Sequence, residues 1–476
     1  MFLMSKSIDL AARMREHQEI SLSEKLLIVA KLSLPAILAM ISEIVMQYID
    51  SAMVGSLGAE ASASIGLVAS STWLIGGLIN ASAYGFSVQV AHAIGAGDAE
   101  HARSVFRQSL IVTFLISSGL LAIAFAISFH LPEWLGADPS IWADASAYFR
   151  IYALFLPVRE LYFLCQSMLQ CSGDMKTPSF LSILLCASDV VFNYFLIFPS
   201  LTICGITVPG AGLGVAGAAY GTAFSYVFAG ILMVIAAVFH SPVLSLKHHK
   251  GSWKLQKPVL KEAAAIAIPM GMEQAALSAA QVFSTRIVAP LGTISIAANS
   301  FAVTAESFCY MPGYGIGSAA TTLVGQALGA DRKDLAKSFA WLTTFSGIAL
   351  MTCSGLLMYD LCPYVFSFLT PVKEVQELGA RVLRIELHAE PLFAASIVAT
   401  GALRGAGDTA VPGILNLVSI WGVRITLASI LSKSLGLPGV WYAMATELCF
   451  RGVLFLIRLY RGKWLKRIDS GKEPQA

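Results

Sequence analysis

Apolar stretches of about 20 residues recur along the whole of this chain, each long enough to cross a hydrocarbon layer of roughly 30 Å as a helix. They lie at approximately 30–54, 62–90, 106–130, 147–170, 178–198 and 212–238, and again at about 263–289, 294–324, 338–362, 379–403, 410–432 and 438–458. Of 476 residues, 56% are hydrophobic and only 13% charged, roughly half the charge of an ordinary soluble domain. Such a chain cannot cover itself with polar surface in water, so its solvent is a lipid bilayer. The expected fold is all-α and integral to the membrane, with about twelve transmembrane helices. The net charge of +3 points to no nucleic-acid partner.

The position of the basic residues says more than their sum. With the N-terminus in the cytoplasm, the inside loops hold Arg103, Arg107, Lys176, the run Lys247, Lys250, Lys254, Lys257, Lys261, then Arg332, Lys333, Lys337 and Arg404. The tail adds Arg458, Arg461, Lys463, Lys466 and Arg467, whereas the opposite loops carry almost only Lys373 and Lys433. This bias places both termini in the cytoplasm of a multi-pass protein of the cell's inner (plasma) membrane. Residues 1–29 mix Asp9, Arg13, Arg15, Glu16, Glu19 and Lys25 with scattered apolar residues and have no apolar core or cleavage site, so they are not read as a secretory signal. The cysteines, Cys165, Cys186, Cys309 and Cys449 among them, fall inside apolar segments without CxxC pairing, and are expected to be packing residues rather than disulfides or metal ligands.

The two sets of six segments repeat each other at one constant offset. Pro35 pairs with Pro269, Leu57-Gly58 with Leu291-Gly292, Gly95 with Gly329, Gly173-Asp174 with Gly407-Asp408, and Pro178 with Pro412, always 234 residues apart. A repeat of six helices returns the chain to its starting side, so the halves share a topology and are related by an axis along the membrane normal. The expected organisation is a cytoplasmic segment 1–29, a six-helix lobe 30–239, a basic linker 240–261 containing Gly251-Ser252 and Pro258, a second lobe 262–459, and a cytoplasmic tail 460–476. Two bundles in one chain suit alternating access about a midplane site, acting as a monomer, better than a channel ringed by identical subunits.

Several motifs resemble the multidrug and toxic compound extrusion (MATE) transporters, in their NorM-like branch. They are YIDSAMVGSLG at 48–58, GAGD at 95–98, CSGDMKTP at 171–178 followed by NYFLIFP at 193–199, MEQ at 272–274, ESFCYMPGYGIGSAATTLVGQALGA at 306–330 and LRGAGDTAVP at 403–412. The resemblance covers nearly the whole chain. It implies a pair of six-helix lobes, exchange for Na⁺ or H⁺, and export of amphipathic, often cationic organic compounds.

A carboxylate in hydrocarbon costs at least about 2.5 kcal/mol, so each one within an apolar segment needs a reason. Glu43, Gln47 and Asp50 in the first segment are spaced i, i+4, i+7 and share one helix face, which should look into the lobe. In the fifth segment Asp189 and Asn193 stand one turn apart. Family structures pair such an acid and amide with the first-segment Asp and a sixth-segment Thr, here Asp50 and Thr222. The resemblance therefore implies a cation site at Asp50, Asp189, Asn193 and Thr222, whose oxygens suit Na⁺ and whose paired carboxylates suit a shared proton. In the best-known members the acid falls at the position of Asn193 and the amide at that of Asp189, so the two are exchanged here.

The second half carries Glu273 and Gln274, matching the MEQ motif that family branches use for cation coupling or cationic substrates. The repeat sets Ala39 against Glu273 and Ser284 against Asp50, so the two halves do not carry matching acids. An alternative for Glu273 is a structural pair with Arg286 or Arg424. Glu390, one turn after Glu386 and just before Pro391, is a further substrate or second-cation residue, with Glu386 expected near the outer interface. Glu306 and Tyr310 are possible supporting residues. Arg159 and Glu160 read as an internal ion pair, and Trp73, Tyr84, Phe155, Tyr310 and Phe393 as aromatics either packed or lining a cavity.

No Walker A, GxSxG or HExxH pattern occurs, which favours transport driven by an ion gradient over ATP-driven transport or an enzyme. No cofactor is expected beyond the coupling ion. Two rivals remain: a flippase for lipid-linked saccharides, which calls for a strongly basic cavity, and a membrane-embedded transferase, for which His388 beside Glu386 is the nearest candidate pair.

Overall fold

The computed structural model describes residues 5–203, 206–247 and 251–465, and no side chain is described at 5–9, 59 or 201–208. Lys250, Lys466 and Arg467 of the expected basic loops, and most of the expected tail, lie outside the described residues. In chain order the first helices are α1 (Ser5–Arg15), α2 (Leu22–Gly55), α3 (Ala59–Gly95), α4 (Ala99–Ile127), α5 (Leu131–Trp134), α6 (Trp142–Leu154), α7 (Leu156–Cys171), α8 (Lys176–Ile197) and α9 (Gly214–Ile235). They are followed by α10 (Lys257–Val288), α11 (Thr293–Gly329), α12 (Lys333–Leu369), α13 (Lys373–Leu387), α14 (Glu390–Gly405), α15 (Ala410–Leu417), α16 (Thr426–Leu435) and α17 (Leu437–Arg461). Two short antiparallel strands, β1 (Pro199–Ile203) and β2 (Ile206–Ala211), join α8 to α9 and were not foreseen from sequence. The fold is that of an all-α membrane protein, because in hydrocarbon a helix is the element that satisfies its own backbone polar groups.

Among the described residues, eight helical stretches are long and apolar enough to cross a bilayer: α2, α3, α4, α8, α9 with the turn after it, α12, α15 through α16, and α17. The other four expected segments depart from a plain apolar helix. α10 and α11 have the length but dilute their apolar content with Glu273, Gln274 and Glu306 and with small residues. The segments expected at 147–170 and 379–403 are each broken in two, at Phe155 between α6 and α7 and at His388-Ala389 between α13 and α14. Both breaks precede a proline in the first turn of the next helix, Pro157 and Pro391, which stand at the repeat offset. The ring removes an N–H and crowds the carbonyl four residues back, so the helix stops and restarts. The segment at 410–432 is also irregular, with a π-helical stretch over Val418–Ile425 joining α15 to α16.

Local chemistry sets the ends. Ser21 and Glu24 form a reciprocal cap ahead of α2, Ser21 N donating to Glu24 Oε2 at 3.0 Å and Glu24 N to Ser21 Oγ at 3.3 Å. The glycine-aspartate turns end helices with a left-handed residue: Gly97 (φ 78°), Gly173 (φ 92°) and Gly407 (φ 76°), while the repeat mate of Gly97 is Asp331 (φ 58°). Aspartate is among the few side chains that tolerate this region.

The chain packs as two compact units, one of residues 42–90 and 99–267, the other of 1–41, 91–98 and 268–476. In the first, Phe149, Leu156, Ile79 and Val68 are fully buried at the centre of one core. In the second, α11 and α14 meet through glycines: a Cβ at Gly401 would strike the backbone of Gly317, and Thr321 Oγ1 donates to the Gly401 carbonyl at 2.8 Å. Such close approach lets van der Waals packing hold helices where no hydrophobic drive exists between them.

Candidate functional site

Within the first unit, α2, α8 and α9 bring together the residues singled out at the fifth and first segments. Asn193 donates through Nδ2 to Asp50 Oδ1 at 2.8 Å and to Asp189 Oδ2 at 2.9 Å, so one amide bridges two carboxylates from different helices. Asp189 is completely buried and Asn193 nearly so. Thr222 of α9 stands beside the Asp189 carboxyl, as does Ser225, which itself donates to the Gly221 carbonyl at 2.9 Å. Asn193 Oδ1 and Asp189 Oδ1 are buried without a hydrogen-bond partner among the described residues. Unsatisfied buried acceptors are costly, and oxygens of this kind are what a cation would use. A Cβ at Gly221 would collide with the Asn193 carboxamide, so the absence of a side chain there gives the amide its place.

Two turns along α2, Glu43 lies in the field of Arg159 of α7. That arginine rests over the rings of Tyr226 (4.5 Å) and Tyr152 (4.9 Å). The expected Arg159–Glu160 ion pair is absent among the described residues. Consecutive residues of a helix point about 100° apart, and Glu160 instead accepts from Ser82 Oγ at 2.5 Å. Gln47 is exposed and does not join the cluster. Sequence reasoning missed Gly221, Ser225 and Tyr226, although Thr222, Ser225 and Tyr226 follow i, i+3, i+4 spacing on one face of α9.

In the second unit Glu273 accepts from Asn416 Nδ2, two residues before the π-helical stretch, and Arg404 and Arg451 act on it electrostatically. Asn416, and neither Arg286 nor Arg424, is its direct partner. Gln274 is half-buried beside it. A further group of acids converges from α11, α13, α14 and α17. Glu386, Glu390 and Glu447 are completely buried and Glu306 is 6% exposed. Glu386 points into the unit from the inward face of α13. His388, two residues on, is exposed, so the two do not form a catalytic pair. Neither carboxyl oxygen of Glu386 or Glu390 has a hydrogen-bond partner among the described residues. Glu447 pairs with Arg451 at 3.1 Å and accepts from Ser419 at 2.5 Å. Arg451 stacks over Phe393, whose ring meets Tyr310 at 5.6 Å. Glu447 and Arg451 were missed, though a Glu-to-Arg i, i+4 pair inside an apolar segment is a signal. Of the other aromatics, Phe155 packs on Phe224 at 6.1 Å, and Trp73 is 65% exposed.

Buried carboxylates on several spans of a membrane-embedded bundle are the means by which membrane transporters handle ions and charged substrates. The chain belongs to the MatE family, whose model matches residues 35–195 and 269–430, more than half of the chain and starting 234 residues apart. It is 26% identical over 450 residues to a probable multidrug resistance protein NorM of Thermotoga maritima, covering 93% of this chain and 94% of that one. A probable multidrug resistance protein YoeA of Bacillus subtilis is 25% identical, covering 80% and 82%. In fold the chain is similar to a MATE transporter of Vibrio cholerae, with a TM-score of 0.85 at 15% identity over 94% of this chain and 98% of that one. It is likewise similar to a transporter of the MOP superfamily from Pyrococcus furiosus, with a TM-score of 0.85 at 19% identity, covering 93% and 96%.

Proposed function

We propose that the chain is a secondary multidrug efflux transporter of the plasma membrane, monomeric and with both termini cytoplasmic. It exports amphipathic, often cationic organic compounds by alternating access, in exchange for a cation that binds at Asp50, Asp189, Asn193 and Thr222. The names of its relatives support the substrate class. One observation carries the ion site: Asn193 Nδ2 lies within hydrogen-bonding distance of both Asp50 and Asp189.

The donor set suits either ion. A proton is shared directly by two adjacent carboxylates, which do not readily ionise together. Na⁺ needs oxygen ligands, and turning the Asn193 amide by half a turn would aim Oδ1 instead of Nδ2 at the carboxylates. In either case loading the cation changes the tie between α2 and α8, which is the mechanical consequence an antiporter needs. Glu273, with Gln274 and Asn416 at its side, is assigned to cationic substrates, and Glu390 and Glu306 to the same half. The acidic character of these interiors disfavours the saccharide-flippase reading, which calls for a basic cavity. The test is efflux of a fluorescent organic cation from proteoliposomes under an imposed Na⁺ gradient and under a pH gradient alone.

A further inference from the structure

On the flank of the second unit, α12, α13 and α17 enclose a cleft of 680 Å³ whose walls include Tyr359, Arg381, Arg384, His388, Tyr442 and Thr446. None of the buried acids described above lines it. Arg384 is anchored, its Nε donating to the Tyr359 carbonyl at 3.1 Å and its guanidinium lying 4.9 Å from the Tyr359 ring centroid. His388 is held by its Nδ1 against the Arg384 carbonyl at 2.7 Å. Arg381 is exposed. Among the described residues neither arginine is in a salt bridge. Glu377 is the acid in the wall, so the cleft is net positive.

The depth of the cleft is fixed by α12. From Ser338 to Tyr359 that helix carries no charged residue, a run of about 33 Å at 1.5 Å per residue, which matches the hydrocarbon thickness. Tyr359 and the exposed Asp360 after it therefore stand at the membrane–water boundary, on the side of the Lys373 and Lys433 loops. The arginines beside Tyr359 lie at the level of lipid phosphates. Below the cleft the surface turns apolar along two tracks. On α17 Thr446 is followed at i+4, i+7 and i+11 by Phe450, Val453 and Ile457, exposed by 42%, 45% and 42%. On α12 Leu356 and Leu357 are exposed by 65% and 62%.

We infer that this cleft binds the headgroup of an anionic glycerophospholipid. The phosphodiester sits between Arg381 and Arg384, the hydroxyls of Tyr442 and Thr446 serve the glycerol and headgroup oxygens, and the acyl chains follow the two apolar tracks. Arg384 is anchored and Arg381 lies one turn away on the same helix, and guanidinium groups are matched to phosphate oxygens. The net positive charge selects an anionic lipid over a zwitterionic one.

The experiment is lipid retention by the full-length protein, purified from membranes containing both phosphatidylglycerol and phosphatidylethanolamine and weighed intact by native mass spectrometry. The readout needs no transport, so it stands apart from the proposed efflux activity. The wild-type protein should retain phosphatidylglycerol selectively, with Arg381→Gln lowering retention about fivefold and Arg381→Gln with Arg384→Gln about twenty-five-fold. Lys373→Gln with Lys433→Gln should change nothing, and soluble glycerol phosphate should fail to displace the lipid. Because Arg384 also braces Tyr359, the exposed Arg381→Gln alone decides the matter if the double variant misfolds. Undiminished retention by Arg381→Gln, equal retention of phosphatidylethanolamine, or displacement by glycerol phosphate would each overturn the assignment.

Discussion

Asn193 of α8 donates to Asp50 of α2 at 2.8 Å, across 143 residues of sequence, and the same amide nitrogen reaches Asp189 at 2.9 Å. A single carboxamide thus arbitrates between two carboxylates that the chain has carried below the membrane surface.

Replacing Asp189 by Ala removes one of the two carboxylates and leaves Asn193 tied to Asp50 alone. Efflux should lose its dependence on the driving ion, whereas Asn193→Ala, which removes a dipole and not a charge, should reduce coupling without abolishing it. Initial efflux rates against the size of the imposed gradient give the comparison. Unchanged gradient dependence in Asp189→Ala would make that acid purely structural.

Gly221→Ala tests the placement of the amide without touching a charged group. Its Cβ would overlap the Asn193 side chain, so α9 must shift or the amide must leave. Overpacking of this kind costs about 1–3 kcal/mol. The variant should unfold at a lower temperature than wild type and transport more slowly, while Gly119→Ala, where a Cβ meets open space, should be silent in both assays.

Glu273→Gln separates substrate recognition from ion coupling. The carboxylate is held by Asn416 and belongs to a different unit of the chain from Asp50. Cationic compounds should be lost preferentially and a neutral substrate should largely survive, because charge attraction is far stronger at low dielectric than in water. Equal loss of both classes would instead make Glu273 part of the coupling machinery.

Glu447→Leu should destabilise the second unit by about 3–5 kcal/mol, since it takes from the largely buried Arg451 its direct ion-pair partner. Glu447→Leu combined with Arg451→Met should recover most of that loss. Thermal unfolding of the purified proteins measures both. A single variant as stable as wild type would show that the 3.1 Å pair contributes nothing.

Much of this was legible in the sequence because membrane solvent is unforgiving: a carboxylate such as Asp189 in an apolar segment has few explanations, and the repeat offset locates Gly173 and Gly407 at equivalent turns. What escaped depends on orientation and on breaks. Hydropathy averages over a window, so it ran through Phe155 and Ala389, where Pro157 and Pro391 divide the segments. It also gave Glu386 a depth but not a face, and depth without face cannot tell an interfacial acid from a buried one. Arg159 was paired with Glu160 on adjacency, whereas helix geometry sends the two side chains to Tyr226 and Ser82. Glu447 and Arg451 went unnoticed because their segment remained apolar enough to read as a plain span.

The most direct measurement is efflux of a fluorescent organic cation from proteoliposomes containing equal amounts of wild-type and Asp50→Asn protein, first under a Na⁺ gradient and then under a pH gradient alone. Asp50→Asn keeps the shape of the side chain and can still meet Asn193, but it removes the charge that a cation must neutralise. The wild-type protein should respond to at least one gradient, and Asp50→Asn should respond to neither while remaining folded in the membrane. Gradient-driven efflux by Asp50→Asn at the wild-type rate would contradict the assignment of the Asp50–Asn193–Asp189 bridge as the cation site.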